Sequence, residues 1–596
     1  MADYQAPVKE ALFVINELFD FPQLNAIEGF QEATPELVEA VVEEAAKFAN
    51  EVFAPLNRSG DLEHSKASNG EVKTPKGFKE AYQLYIDSGW MSLAQDPEFG
   101  GQGMPFTIHM VASEFWSSAN MSMGLCPMLS AGALDVLSAH ASDDLRQTYM
   151  PKLITGEWSG TMNLTESHAG SDLSNLKTKA KPAHSQELGD HFLVKGQKIF
   201  ITWGEHDMCE NIVHLVLAPL EDAPSGVKGL SLFLVPKFLV NNDGSLGQRN
   251  DVQVVSTEEK LGINASPTCV MSFGENDGAV GYMIGDPGQG LNCMFTLMNH
   301  ARLEVGLQGP SVSERAYQDA LDYAKQRVQG RDPRTGESTT IIGHPDVQRM
   351  LMQMKSMTDA MRALCFDAAM SHDLRGHANT EEERQYHSRK FSLLTPISKA
   401  WPTELVNEVT SLGIQVHGGM GFVEETGVAQ HYRDARIAAI YEGTTAIQAN
   451  DLVGRKLLRD SGAGFAALMQ EIQQTLEGSN GQEFAEMNHA VSKAKAELES
   501  IAQFIMDNAS ESAVFTGAVA VNFMMQLGYV CGAWYHLRSA LIANQHIEAQ
   551  EGDLAFYRQK VIAAKFYVAQ VLPRAQAHGE AVLNVNSVEL SAESFA

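Results

Sequence analysis

The residues best placed to do chemistry lie in one stretch, 415–457. A single carboxylate, Glu442, stands between the apolar run Ile437-Ala438-Ala439-Ile440-Tyr441 and the segment Gly443-Thr444-Thr445, where a new helix should begin. Desolvation by such neighbours raises a carboxylate's pKa toward the working pH of a general base. Upstream, His417-Gly418-Gly419-Met420-Gly421 is a glycine-rich turn after an apolar helical run. Backbone without Cβ atoms can approach a phosphate or a flat ring system closely. A helix N-terminus, as after Thr444, offers free N–H groups to an anion. Arg433, Asp434 and Arg436 add a charged cluster. Taken singly, each piece is equally an ordinary helix cap with a solvated Glu. Together they are equipment for taking a proton beside a phosphate-bearing or flat ligand.

Other elements must carry these residues into place. At 596 residues the chain is long enough for three or four domains. The spacing predicts helices through 1–160, with Leu37, Val38, Val41, Val42, Ala45 and Phe48 near a 3.6 period. Residues 106–139 read as apolar core helix. Residues 160–165 read as extended, a loop of small and polar residues follows, and from about 190 to 285 the signal is β. The runs 191–194 and 197–203 around Lys195-Gly196 suggest a hairpin, and 212–217, 230–235 and 266–273 read as further strands. Residues 286–459 return to helix: 291–328 as one long helix or a broken pair, 329–343 as a loop, 379–384 as polar and exposed, and 392–416 as helix. After a linker at 460–464, residues 460–596 form an additional helical block.

The formal charge of −30 disfavours nucleic acid and anionic membranes as main partners. Within 461–596 seven Lys and Arg face fourteen Asp and Glu, so this block is no better suited to DNA. Six scattered cysteines without CxxC spacing read as buried free thiols in a reducing cytoplasm, with no metal site. The N-terminal residues lack a basic-then-apolar signal pattern, so a cytoplasmic location is expected. The apolar window 514–534 is about as long as a membrane span, but Gly517, Asn522, Gln526, Gly528 and Gly532 point to a buried core helix.

Several segments together resemble one family. The stretch RDARIAAIYEGTTAIQ, residues 433–448, is similar to the C-terminal signature of the acyl-CoA dehydrogenases. Gln95 to Gly103, the loop Thr165-Glu166-Ser167-His168-Ala169-Gly170-Ser171-Asp172, the strand Gln197-Lys198-Ile199-Phe200-Ile201-Thr202 and the segment Lys260 to Thr268 match further family motifs in the same order. The likeness spans about 48–455. It departs from the common pattern at Ser167-His168 for Pro-Gly, Met162 for Tyr, Phe200 for Trp, Asn299 for Asp and Ala446 for Gln.

The resemblance implies an α+β, mainly α fold. Its parts would be an N-terminal helical domain (1–160), a middle antiparallel β-domain (161–285), a flavin-binding helical bundle (286–459) and an extra C-terminal helical domain (460–596). It implies FAD-dependent α,β-dehydrogenation of an acyl-CoA thioester with Glu442 as base. Met162, Leu164, Thr165, Ser171, Phe200, Thr202, Arg327, Gln415, Gly418, Gly419 and Thr444 would meet the flavin. Ser171, Asn299, Arg302, Tyr441 and Gly443 would meet the acyl-CoA. An electron-transferring flavoprotein is the implied acceptor and a homodimer the favoured assembly. The opening LFVINELFDF (residues 12–21), the length and the added C-terminal block resemble a subgroup acting on 3-methylmercaptopropionyl-CoA in dimethylsulfoniopropionate breakdown. Medium- or long-chain fatty acyl-CoA dehydrogenases share that size. An acyl-CoA oxidase and a DNA-binding alkylation-response flavoprotein are the remaining alternatives.

Overall fold

The computed structural model describes residues 3–479, 482–510, 512, 514–587 and 591–595. The chain packs as two units, one formed by 44–304 and the other by 1–43 with 305–596.

In the first unit, helices α1 (Phe106–Ala119) and α2 (Met121–His140) are buried almost throughout. The expected single run over 106–139 is broken at Asn120. Its backbone is extended, and its Oδ1 accepts from Met123 N at 3.1 Å to cap α2. Met110, Met121, Met123 and Met128 are core residues as read from the sequence.

An eight-stranded sheet follows: β1 (Trp158–Asn163), β2 (Lys179–Ser185), β3 (Gly189–Thr202), β4 (Asn211–Pro219), β5 (Leu230–Pro236), β6 (Val252–Thr257), β7 (Thr268–Phe273) and β8 (Ala279–Ile284). Its order is β6-β7-β3-β8-β5-β4-β1, with β2 on β3. All pairs are antiparallel except β1 with β4, which is parallel. Val194, Ile201, Val216, Phe233, Met271 and Phe273 are among the buried side chains of its core.

The expected hairpin at Lys195-Gly196 is not formed. Residues 189–202 make one continuous strand, and the hairpin turn lies earlier, between β2 and β3. Gly196 is a bend within the strand. Its φ is +151°, and a Cβ there would lie 2.4 Å from Thr178 Oγ1. Before this bend β3 pairs with β2 and β8; from Gly196 onward it pairs with β7. The glycine serves a change of partner, which local composition cannot distinguish from a turn.

Helix α3 runs unbroken over Gly290–Gln326, and the division between the units falls within it. The second unit holds α4 (Pro345–His377), α5 (Glu381–His417), α6 (Thr445–Asp451), α7 (Phe515–Ala549) and α8 (Leu554–Phe566). One expectation is corrected here. Residues 329–343 include a small hairpin, Val328–Arg331 against Ser338–Thr340. The polar residues 379–383 are exposed as expected, and α5 opens within them at Glu381, where Thr380 and Glu383 form a reciprocal capping box.

The apolar windows of α2 and α7 are long enough to cross a membrane, yet 83% and 72% of them is buried within the protein. The glycines of α7 are contact points. A Cβ at Gly528 would lie 2.3 Å from Trp401 Cγ, and one at Gly532 would lie 2.3 Å from Tyr567 Oη.

The opening residues fold onto this helical block. Phe13 packs edge-on against Phe556, and Phe19 against Tyr535. Glu10 sits between Lys355 (2.6 Å) and Lys560. Asp359 joins both lysines and Arg362, which reaches Glu314 at 2.8 Å. Burial pushes the Glu10 and Asp359 carboxyls up, but the surrounding cations outweigh it and hold both below their ordinary range.

Candidate functional site

In the second unit, Glu442 lies between a short helical turn, Arg436–Ala439, and α6. Lys399, fully buried on α5, donates to Ala438 O at 2.8 Å and fixes the approach. The Tyr441 hydroxyl donates to Gln308 on α3, and burial drives its pKa far up, so it stays a neutral phenol. Glu442 itself has φ +54°. A left-handed backbone at a non-glycine residue is costly and collects at functional sites. Gly443 follows at φ +94°, where a Cβ would lie 2.5 Å from Gln448 Nε2. That amide, itself buried, donates to Glu442 O at 3.3 Å. Thr444 caps α6 through Oγ1, which accepts from Ile447 N at 3.4 Å. Glu442 is half-buried, with Ala438 and Ala439 buried before it, whereas Ile440 is exposed.

Arg327 follows the last turn of α3 and is exposed, as are Gln415, Gly418 and Gly419 at the end of α5. His417 stacks on Tyr323 with ring centroids 4.4 Å apart, which brings the Arg327 end of α3 to the Gly418-Gly419 turn. Among the described residues, no atom beyond the adjoining residues lies within 4 Å of where a Cβ would stand at Gly418 or Gly419, so this backbone is open to a ligand.

In the first unit, a β-bulge sets two residues of β3, Ile199 and Phe200, against the single residue Val270 of β7. Phe200 has φ +60° and its ring is 57% exposed. Bulges re-aim side chains in this way, and the result is an aromatic face standing free of the sheet. Thr202 closes the strand opposite Thr268. Ile199 N donates to Thr165 O at 2.9 Å, so the loop leaving β1 runs beside the bulge. Met162, Leu164, Thr165, Phe200 and Thr202 therefore gather on β1, its loop and β3, while Ser171 is exposed further along the loop. Arg302 on α3 is buried and donates to Asn299 Oδ1 at 3.3 Å.

The residues that hold this loop were legible only as motif letters. Lys198 Nζ, fully buried, donates to Leu164 O and Glu166 Oε1, both at 2.9 Å. Glu166 accepts further from Lys177 N at 2.7 Å and Thr178 N at 3.0 Å. Burial lowers the Lys198 pKa to about 8 against the pull of Glu166. Burial raises that of Glu166, but Lys198 and the hydrogen bonds more than offset it, leaving the carboxyl below its ordinary value. Gln308, Lys399 and Gln448 around Glu442 likewise carried no signal, since a Gln or Lys in a helix is ordinary.

In one unit an exposed aromatic on a bulge is suited to a flat ring, and in the other an open glycine turn near an arginine is suited to a phosphate. Comparison with known proteins agrees. Acyl-CoA dehydrogenase models match along the chain: the N-terminal domain at 35–157, the middle domain at 161–275 and the C-terminal domain at 288–457. A model described as acetyl-CoA dehydrogenase C-terminal like matches 468–591. The 3-methylmercaptopropionyl-CoA dehydrogenase of Ruegeria pomeroyi is 44% identical over 99% of both chains. A butyryl-CoA dehydrogenase of Syntrophomonas wolfei is 35% identical over 96% of this chain and 95% of its own. In fold, the chain is similar to Caenorhabditis elegans ACDH-11 in complex with C11-CoA (TM-score 0.76, 20% identity, 98% and 95% covered). It is also similar to an acyl-CoA dehydrogenase of Bacillus anthracis complexed with FAD (TM-score 0.74, 20% identity, 94% and 90% covered). With a relative this similar from end to end and family models along its length, the chain belongs to the acyl-CoA dehydrogenase family.

Proposed function

We propose that the chain binds FAD and oxidises a short acyl-CoA, 3-methylmercaptopropionyl-CoA, to methylthioacryloyl-CoA. Glu442 takes the α-hydrogen as a proton, the β-hydrogen leaves as hydride, and the carbon–carbon double bond forms between the two carbons. FAD, when bound, supplies the hydride acceptor. The strained backbone of Glu442, φ +54° between Tyr441 and Gly443, is the observation that carries this reading. It is held by the Gln448 amide and by the neighbouring Tyr441–Gln308 contact, so the carboxylate is presented without rearrangement.

Phe200 offers its face to the flavin, with Met162, Leu164, Thr165 and Thr202 around it. Arg327, Gln415, Gly418, Gly419 and Thr444 serve its phosphates and edges. Ser171, Asn299, Arg302, Tyr441 and Gly443 serve the acyl-CoA. The subgroup likeness at 44% identity supports the methylthio-acyl substrate. The butyryl-CoA dehydrogenase at 35% identity supports a second reading, a straight short chain. An electron-transferring flavoprotein as acceptor, a homodimer and a cytoplasmic location complete the proposal.

Anaerobic addition of 3-methylmercaptopropionyl-, butyryl-, octanoyl- and palmitoyl-CoA to the flavin-loaded protein tests the substrate. Fastest bleaching of the flavin by the methylthio thioester is expected. Bleaching mainly by butyryl-CoA would favour the second reading. Bleaching mainly by the long chains would overturn both.

A further inference from the structure

The first unit, besides the Phe200 bulge, buries a cluster of metal-type ligand atoms to which the proposed dehydrogenation assigns no role. His109 comes from α1, and His300 and Glu304 come from α3; all three are buried. His109 Nε2 and His300 Nε2 lie 2.9 Å and 2.8 Å from the same atom, Glu304 Oε1. The three ligand atoms fall within 4.8 Å of one another. His300 and Glu304 are four residues apart on one helix, which puts both on the same face.

Two further features point to a ligand. His300 Nδ1 lies 2.8 Å from Asp135 Oδ2 on α2. A carboxylate behind an imidazole, turning its other nitrogen toward a shared point, is the outer support of metal-binding histidines. Beside the cluster, His109, Glu304, Ser113, Tyr85 and Trp116 help line a cavity of about 10 Å³, the room that one water needs. Among the described residues, the Tyr85 hydroxyl and Trp116 Nε1 are buried there without hydrogen-bond partners. An oxygen in the cavity would accept from these donors.

We propose that His109, His300 and Glu304 bind a divalent cation of the zinc class, with Asp135 orienting His300 and a water in the cavity completing the shell. Two imidazole nitrogens, one carboxylate oxygen and one water are a donor set that zinc accepts. Both nitrogens of His300 face carboxylate oxygens, Asp135 and Glu304, so without the cation this ring donates from both; a cation at the shared point would take the place of the Nε2 proton. Bonds of about 2.0–2.1 Å in tetrahedral array need ligand atoms roughly half an ångström further apart than they stand here. Without the cation each ring donates its Nε2–H to Glu304. With it, α1 and α3 are joined through one ion, and α2 is tied to it through Asp135 and His300, a structural clamp within this unit.

The test uses the full-length, flavin-loaded protein, dialysed against a chelator, incubated with Zn²⁺, desalted and analysed for metal by mass spectrometry. One zinc per chain is expected. Glu304→Gln and His300→Gln should retain none. Asp135→Asn keeps the three ligands and should bind about 10–100-fold more weakly in a competitive titration. Its weaker binding reads the site even where a ligand variant folds poorly. Equal zinc retention by wild type and Glu304→Gln, or no zinc in either, would overturn the proposal, as would unchanged affinity in Asp135→Asn.

Discussion

Replacing Lys198 by Met removes one ammonium from the centre of the 164–178 loop, and its effect can be worked from the contacts. Leu164 O loses its donor, and the Glu166 carboxylate, 4% exposed, loses its cation. Removing one partner of a buried pair costs about 3–5 kcal/mol. Glu166 keeps the backbone donors Lys177 N and Thr178 N, so the lower end applies, about 3 kcal/mol. If that loss is confined to the loop carrying Thr165 and Ser171, flavin affinity falls about a hundredfold, at ~1.4 kcal/mol per tenfold.

Flavin titration by fluorescence gives the affinity, and amide hydrogen exchange across 164–178 locates the loss. A dissociation constant within twofold of wild type, with unchanged exchange, would refute the reasoning. The pH dependence adds a check. Lys198 has a pKa of about 8 in the folded chain against an ordinary 10.5. Between these values the unfolded chain holds the extra proton, so this group makes stability rise with pH. Urea midpoints of wild type and Lys198→Met should therefore diverge from pH 8 to pH 10, with wild type gaining. A narrowing gap would contradict it.

Glu10→Ala leaves Lys355 and Lys560 buried around an empty place, and urea denaturation should show a loss of about 3–5 kcal/mol. The depressed carboxyls of Glu10 and Asp359 contribute stability above the ordinary carboxylate range and lose it as pH falls through their folded values. Wild type should therefore lose more stability than Glu10→Ala on acidification below about pH 4.5. Phe200→Ala should weaken flavin by at least the ~0.5–1.5 kcal/mol of an aromatic pair, read by the same fluorescence titration, with the bulge intact by circular dichroism.

What the sequence disclosed was contiguous. Tyr441, Glu442, Gly443 and Thr444 are neighbours in the chain, so their roles travel together as a short motif. The strand with Phe200 and the loop with Thr165 are likewise single segments. What it withheld was the support that comes from afar. Gln308 stands 133 residues before Tyr441, and Glu10 meets Lys355 across 345 residues. The shared likeness of the opening segment and the C-terminal helices says nothing of contact between them, yet a buried ion network joins Glu10 to Lys560. Gly196 misled because a bend and a turn need the same residue, and only the pairing of β3 with β7 decides between them. The exposure of 379–383 was legible from polarity, whereas the start of α5 at Glu381 rests on Thr380 and Glu383 acting together.

The central claim is that Glu442 is the base. Anaerobic mixing of flavin-loaded Glu442→Gln with 3-methylmercaptopropionyl-CoA tests it most directly. The variant should keep its flavin and bind the thioester, and the flavin should remain oxidised where wild type bleaches. Bleaching of the variant at a rate near that of wild type would place the base elsewhere.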